Sequence, residues 1–124
     1  MGRARSAAGR LVGRGSTLVE VVAAAEGVIG VPIRIRHCDD LHGPSAVVTV
    51  VPGQLALVSV DQRVDASRFE HVVAHELGHL VLGHGSGERR HYDNQLERDA
   101  ELFGTEVVRR MRMAPLSVQS RAVR

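Results

Sequence analysis

The residues best suited to chemistry are His75-Glu76-Leu77-Gly78-His79, two histidines four apart with a glutamate beside the first. On a helix, positions four apart share one face, so both imidazoles can reach a single ion. Glu76, adjacent to the first imidazole, can take a proton from a water on that ion without being a ligand itself. The spacing therefore predicts one Zn2+ on His75 and His79, with Glu76 as general base. The pattern also arises by chance in a chain with seven histidines, so the helix must be established independently.

A catalytic zinc takes three protein ligands and leaves a fourth position for water. His84 does not complete a His-Glu-x-x-His-x-x-Gly-x-x-His pattern, because Leu82 and Gly85 stand where Gly and His are needed. His71 shares the face, but eight helical residues rise about 12 Å, too far for one ion with bonds of about 2 Å. It is expected to support the site from behind. Three acids, Glu97, Asp99 and Glu101, lie near the apolar stripe of a later segment and are each a possible third ligand. Acids beside an apolar face are costly unless something pairs with them.

These residues need particular elements to position them. Thr17-Leu18-Val19-Glu20 fits a capping box, predicting a helix to about Glu26 that Gly27 ends. Val31, Ile33 and Ile35 alternate with polar residues and predict a strand, followed by a loop from His37 to Pro44. Ala46–Val51 and Leu55–Val60, separated by Pro52-Gly53, read as a hairpin. Ser67-Arg68-Phe69-Glu70 is a second capping box, and Phe69, Val72, Val73, Leu77, Leu80 and Val81 recur at helical steps until Gly83. That period owes nothing to the histidines. Residues 85–94 read as a loop, and a last helix is expected from Gln95 to Met113, stopped by Pro115. The whole predicts an α+β fold: an N-terminal helix, a small three-stranded antiparallel sheet, the helix of the two histidines and a C-terminal helix supplying the third ligand.

Length and composition set bounds. One domain fits 124 residues, and 44% apolar residues suffice for a core, though aromatics are only 2%. Residues 1–16 and 116–124 are arginine-rich and read as basic flexible tails around a domain at 17–115. No aromatics interleave with these arginines, which argues against direct nucleic-acid binding. No apolar run approaches the roughly 20 residues of a bilayer span. Cys38 is the only cysteine, so no internal disulfide can form. The start carries positive charge without an apolar stretch, so a secretory signal is not expected. The expected compartment is cytoplasmic.

Phe69 to His84, with His75-Glu76-Leu77-Gly78-His79 at its centre, resembles the metal-binding helix of the ImmA/IrrE family of metallopeptidases. Downstream, Glu97-x-Asp99-Ala100-Glu101-x-Phe103-Gly104 is similar to that family's Glu-x-Glu-Ala-Asn-x-Phe-Ala segment. The likeness covers roughly residues 17 to 115. It implies zinc on His75, His79 and Glu97, with Glu76 as general base. The chain departs from the family in having Asp99 and Glu101 where Glu and Asn are usual, and it reaches Met113-Ala114-Pro115 later.

The resemblance implies a zinc endopeptidase that cleaves a protein substrate, a helix-turn-helix repressor of a mobile element or stress regulon. His84, His91 and Tyr92 are candidate oxyanion donors. The competing reading is a catalytically inactive, zinc-stabilised interaction module acting with a regulator or toxin partner, in which Glu76 would be dispensable. A general secreted protease fits least.

Overall fold

Two Phe and one Tyr leave the interior to be built from Val, Leu, Ile and Ala. Small side chains let backbones come close, and this fold uses such an approach at Gly78 and Gly104. The structure is a computed structural model that describes residues 2–84 and 94–115. Of the loop expected at 85–94, residues 85–93 lie outside the described residues, as does the C-terminal tail at 116–124, while Asn94 already belongs to the last helix.

The chain runs α1 (Arg3–Leu11), α2 (Leu18–Ile29), β1 (Ile33–Cys38), β2 (Ala46–Val51), β3 (Leu55–Asp61), α3 (Ala66–Val81) and α4 (Asn94–Met111). Its class is α+β, four helices and a three-stranded sheet among the described residues. No described helix is long and apolar enough to cross a membrane.

The sheet is mixed, not antiparallel as the sequence suggests. Its order is β1-β3-β2; β1 runs parallel to β3 with Ile35 opposite Val58, and β2 runs antiparallel to β3 with Val48 opposite Val58. The β2–β3 hairpin is therefore present, but β1 pairs beyond its sequence neighbour. Burial gives the reason. Ala56, Val58, Ser59, Val60 and Asp61 of β3 are all buried, whereas Arg34, Arg36 and His37 of β1 are exposed. The strand buried on both faces takes the centre, and the arginine-bearing strand takes an edge, where charge discourages further pairing.

Residues 3–11 are not the flexible tail expected. Ala4, Ala7 and Ala8 form a thin buried stripe that packs on α4. The Arg3 guanidinium donates to the Leu82 carbonyl at 3.0 Å, and the Gly15 amide donates to the Arg110 carbonyl at 2.8 Å. Alanine has the best helix propensity, and its single methyl suffices where helices lie close. A stripe that thin does not stand out as an apolar period.

Helix ends also differ from expectation. Thr17 and Glu20 form the capping box of α2, but the helix continues through Gly27 to Ile29 and ends at Gly30, whose φ of 82° is left-handed. Asp65, rather than Ser67, caps α3 by accepting from the Arg68 amide at 3.0 Å. A carboxylate at this position also meets the positive end of the helix dipole. The Ser67 hydroxyl donates to the same carboxylate at 2.8 Å. The predicted strand at 31–35 starts at Ile33 and extends through His37 and Cys38, which were expected in the loop.

Asp61, buried at the end of β3, fixes the loop that follows β1. Its carboxylate accepts from the Leu41 amide at 3.0 Å and from the Arg63 amide and guanidinium, while Arg63 also pairs with Asp40 at 2.8 Å. Hydrogen bonds from Arg63, then from Leu41, hold the Asp61 carboxyl far below the ordinary range against its burial.

Helices α3 and α4 meet through reciprocal glycines. A Cβ on Gly78 would lie 3.1 Å from the Ala100 Cα and carbonyl oxygen, and one on Gly104 would lie 3.0 Å from the His75 nitrogen. Position 78 facing 100 while 75 faces 104 means that the helices run in opposite directions. Gly104→Ala should lower stability by about 1–3 kcal/mol in urea denaturation, because backbone cannot yield, despite the roughly 1 kcal/mol helix-propensity gain. Gly27→Ala in exposed α2 meets nothing within 4 Å and should raise stability by up to about 1 kcal/mol. Equal or higher stability in Gly104→Ala would refute the tight contact.

Candidate metal centre

Helix α3 carries His75 and His79 one turn apart, with ring centroids 5.1 Å apart and planes at 71°. Across the glycine contact, α4 carries Glu97 and Glu101, also one turn apart. Two pairs at the same spacing on opposed helices face each other. Glu97 spans both imidazoles, its Oε1 3.0 Å from His75 Nε2 and its Oε2 3.2 Å from His79 Nε2. The ligand atoms of His75, His79 and Glu97 lie within 4.8 Å of one another, and the three form a group that could hold a metal ion. Two imidazoles and a carboxylate suit zinc and several other divalent cations.

Each imidazole is held from behind. Glu101 bridges two rings, its Oε1 2.8 Å from His75 Nδ1 and its Oε2 2.8 Å from His71 Nε2. A carboxylate on the far nitrogen fixes a histidine's tautomer and leaves Nε2 for an ion. His79 is held differently. Helix α3 ends in a turn in which Gly83, at φ 74°, donates to the Leu80 carbonyl and His84 to the His79 carbonyl at 3.0 Å. This pair of bonds is the Schellman arrangement. It folds His84 back so that its Nδ1 lies 2.9 Å from His79 Nδ1, with both rings buried.

The environments give the groups different proton affinities. Burial, aided by the charges of His75 and His84, lowers His79 to about 3 and keeps it neutral, the ligating form. Burial also opposes protonation of His75, but hydrogen bonds to Glu101 and Glu97 and the charge of Glu76 outweigh it and raise its pKa. Burial raises Glu76 to about 7, with Glu97 adding to the effect and His75 opposing it. A carboxyl near neutrality can both accept and return a proton at physiological pH.

Glu76 sits with His75, His79 and Glu97 in the wall of a cleft of about 1010 Å³. The opposite wall comes from the loop after β1 and from β2, including Leu41, Pro44 and Val47. The sequence-predicted residues His75, His79, Glu97 and Glu76 are thus brought together. Asp99 is turned to Gln95, which donates to it at 2.8 Å. Glu101 and His71 meet each other beside His75, and both also line the cleft. His84 packs against His79 and does not line the cleft; His91 and Tyr92 lie outside the described residues.

The pairing of His84 with His79 was missed by reasoning from spacing, although Gly83 signals the turn that creates it. The role of Glu101 was readable in principle, since it follows Glu97 by one turn.

Glu97→Ala should abolish stoichiometric metal binding in a chelator-competition titration, whereas Asp99→Ala should leave it within about twofold. Glu101→Ala should weaken binding by roughly 10- to 100-fold, the usual effect of losing a carboxylate behind a ligating histidine. A larger loss in Asp99→Ala than in Glu97→Ala would overturn the ligand set. Comparison with known protein families, curated proteins and solved structures finds no match to this chain.

Proposed function

We propose that this chain is a zinc-dependent endopeptidase of the ImmA/IrrE kind, acting on a protein substrate. The observation that carries this reading is the convergence of His75, His79 and Glu97, with Glu76 beside them, on a cleft of about 1010 Å³. When bound there, zinc supplies Lewis-acid activation of water and of the scissile carbonyl.

The protein's own residues do the rest. His75, His79 and Glu97 would hold the ion, and Glu101 and His84 hold the two imidazoles in orientation. Glu76 takes the proton of the attacking water and returns it to the departing amine. Leu77 and Val73 behind the site are fully buried and keep bulk water away from that side. Resemblance in the segments 69–84 and 97–104 supports a helix-turn-helix repressor as substrate, and the lone Cys38 supports a reducing cytoplasmic setting.

The test is hydrolysis of denatured casein and of purified helix-turn-helix repressors, beginning with any that is encoded beside this gene. Zinc-loaded wild type should cleave, and Glu76→Gln should retain its zinc while losing at least about 100-fold in rate. Cleavage by zinc-loaded Glu76→Gln at the wild-type rate would remove Glu76 as the base. Repressor binding without cleavage by either protein would point to a zinc-stabilised docking module instead.

A further inference from the structure

One face of α3 lines the cleft along most of its length, through Arg68, His71, Val72, His75, Glu76 and His79. The chemistry is concentrated at one end, where Glu76, Glu97 and Glu101 surround the histidines. At the other end stands Arg68, the only arginine among the described residues lining the cleft. Its side chain is exposed and makes no hydrogen bond or ion pair among the described residues. Arg63 is engaged with Asp40 and Asp61, and Arg109 and Arg110 with Glu106, whereas the arginines that share Arg68's freedom, such as Arg34 and Arg112, do not line the cleft. Asp65 feels the charge of Arg68, but its Oδ1 already accepts from the Arg68 amide and the Ser67 hydroxyl, and it does not line the cleft.

Separation along the helix sets a ruler. Arg68 precedes His75 by seven residues, about 10 Å of helix at 1.5 Å per residue. An extended peptide advances about 3.3 Å per residue, so this distance corresponds to about three residues, and the length of an arginine side chain widens it to two to four. Between the two ends the walls carry Val72 on α3 and Ala46, Val47 and Thr49 on β2, together with His71, which lies 2.8 Å from the Glu101 carboxylate that also bonds His75. Such a surface accepts an uncharged stretch of peptide and offers one fixed positive charge beyond it.

We infer that Arg68 is a specificity-determining residue: it binds a substrate carboxylate two to four residues from the scissile bond. The inference rests on the peptidase reading. The carboxylate can belong to an Asp or Glu side chain or to the end of a peptide chain; Arg68 recognises the shared group through paired N–H donors.

The experiment digests a randomised dodecapeptide library with the zinc-loaded protein and identifies the cut sites by mass spectrometry. Wild type should enrich acidic residues over neutral ones by about five- to tenfold at one position two to four residues from the cut, the net scale of one hydrogen bond at a solvent-exposed site. Arg68→Ala should lose that enrichment at unchanged zinc content, Arg68→Lys should keep part of it, and Arg68→Glu should favour Lys and Arg there. Amidating the peptides' C-termini separates the two sources, since enrichment that vanishes on amidation assigns the terminal carboxylate. Absence of acidic enrichment in wild type, or its persistence in Arg68→Ala, overturns the inference. If wild type cuts nothing, the peptidase reading fails, and retention of the same library on zinc-loaded Glu76→Gln reads Arg68 separately. Loss of acidic peptides in the Glu76→Gln/Arg68→Ala double variant sustains its role, and equal retention refutes it.

Discussion

The candidate centre depends on how closely α3 and α4 approach. A carboxylate on one helix can share an ion with imidazoles on another only if the two backbones are near van der Waals contact, because Glu reaches only a few ångströms from its Cα. Gly78 and Gly104 remove the side chains that would hold the helices apart, and Ala100 and Phe103 fill the space around them. The register of that contact places Glu97 against both Nε2 atoms and Glu101 against His75 Nδ1. The same glycines would weaken a helix in isolation. Here their cost is offset by interhelical packing, since helical stability in proteins comes largely from tertiary burial.

Around this contact the polar groups are paired in an order that suits a cation. Along the cleft wall the contacts run from Glu97 through His75 to Glu101 and then to His71, alternating carboxylates and imidazoles. The interior imidazole, His79, meets Glu97 through one nitrogen and a second histidine through the other, while the outer one, His75, lies between two carboxylates. Two chemically identical ligands thus sit in unlike surroundings, one neutral by burial and one stabilised by acids. A divalent ion would reverse much of that local balance, since its charge exceeds any single side chain's.

Much of this arrangement is legible in the sequence where the signal is local. The period of Phe69, Val72, Val73, Leu77 and Leu80 describes a helix, and α3 covers it; the Thr17 capping box and the Pro52-Gly53 hairpin are equally local. The strand order is not, because β1 chooses β3 over its sequence neighbour for reasons of burial that only the assembled sheet reveals. Helix α1 is missed because three alanines make a weak period among arginines. The acids of α4 can be narrowed to three by composition and to Glu97 by resemblance; the glycine-set register shows which one faces both histidines. Arg68 carries no motif at all, and only its position along the cleft distinguishes it from fifteen other basic residues.

The first helix has a consequence for ion affinity. It rests on α4, the helix that bears Glu97, and Arg3 clasps the carbonyl at the far end of α3. Docking of those nine residues and occupation of the centre therefore favour the same mutual placement of α3 and α4. Thermodynamic reciprocity then makes them partners: whatever factor the N-terminal helix adds to the ion's association constant, the ion adds to the helix's own docking equilibrium.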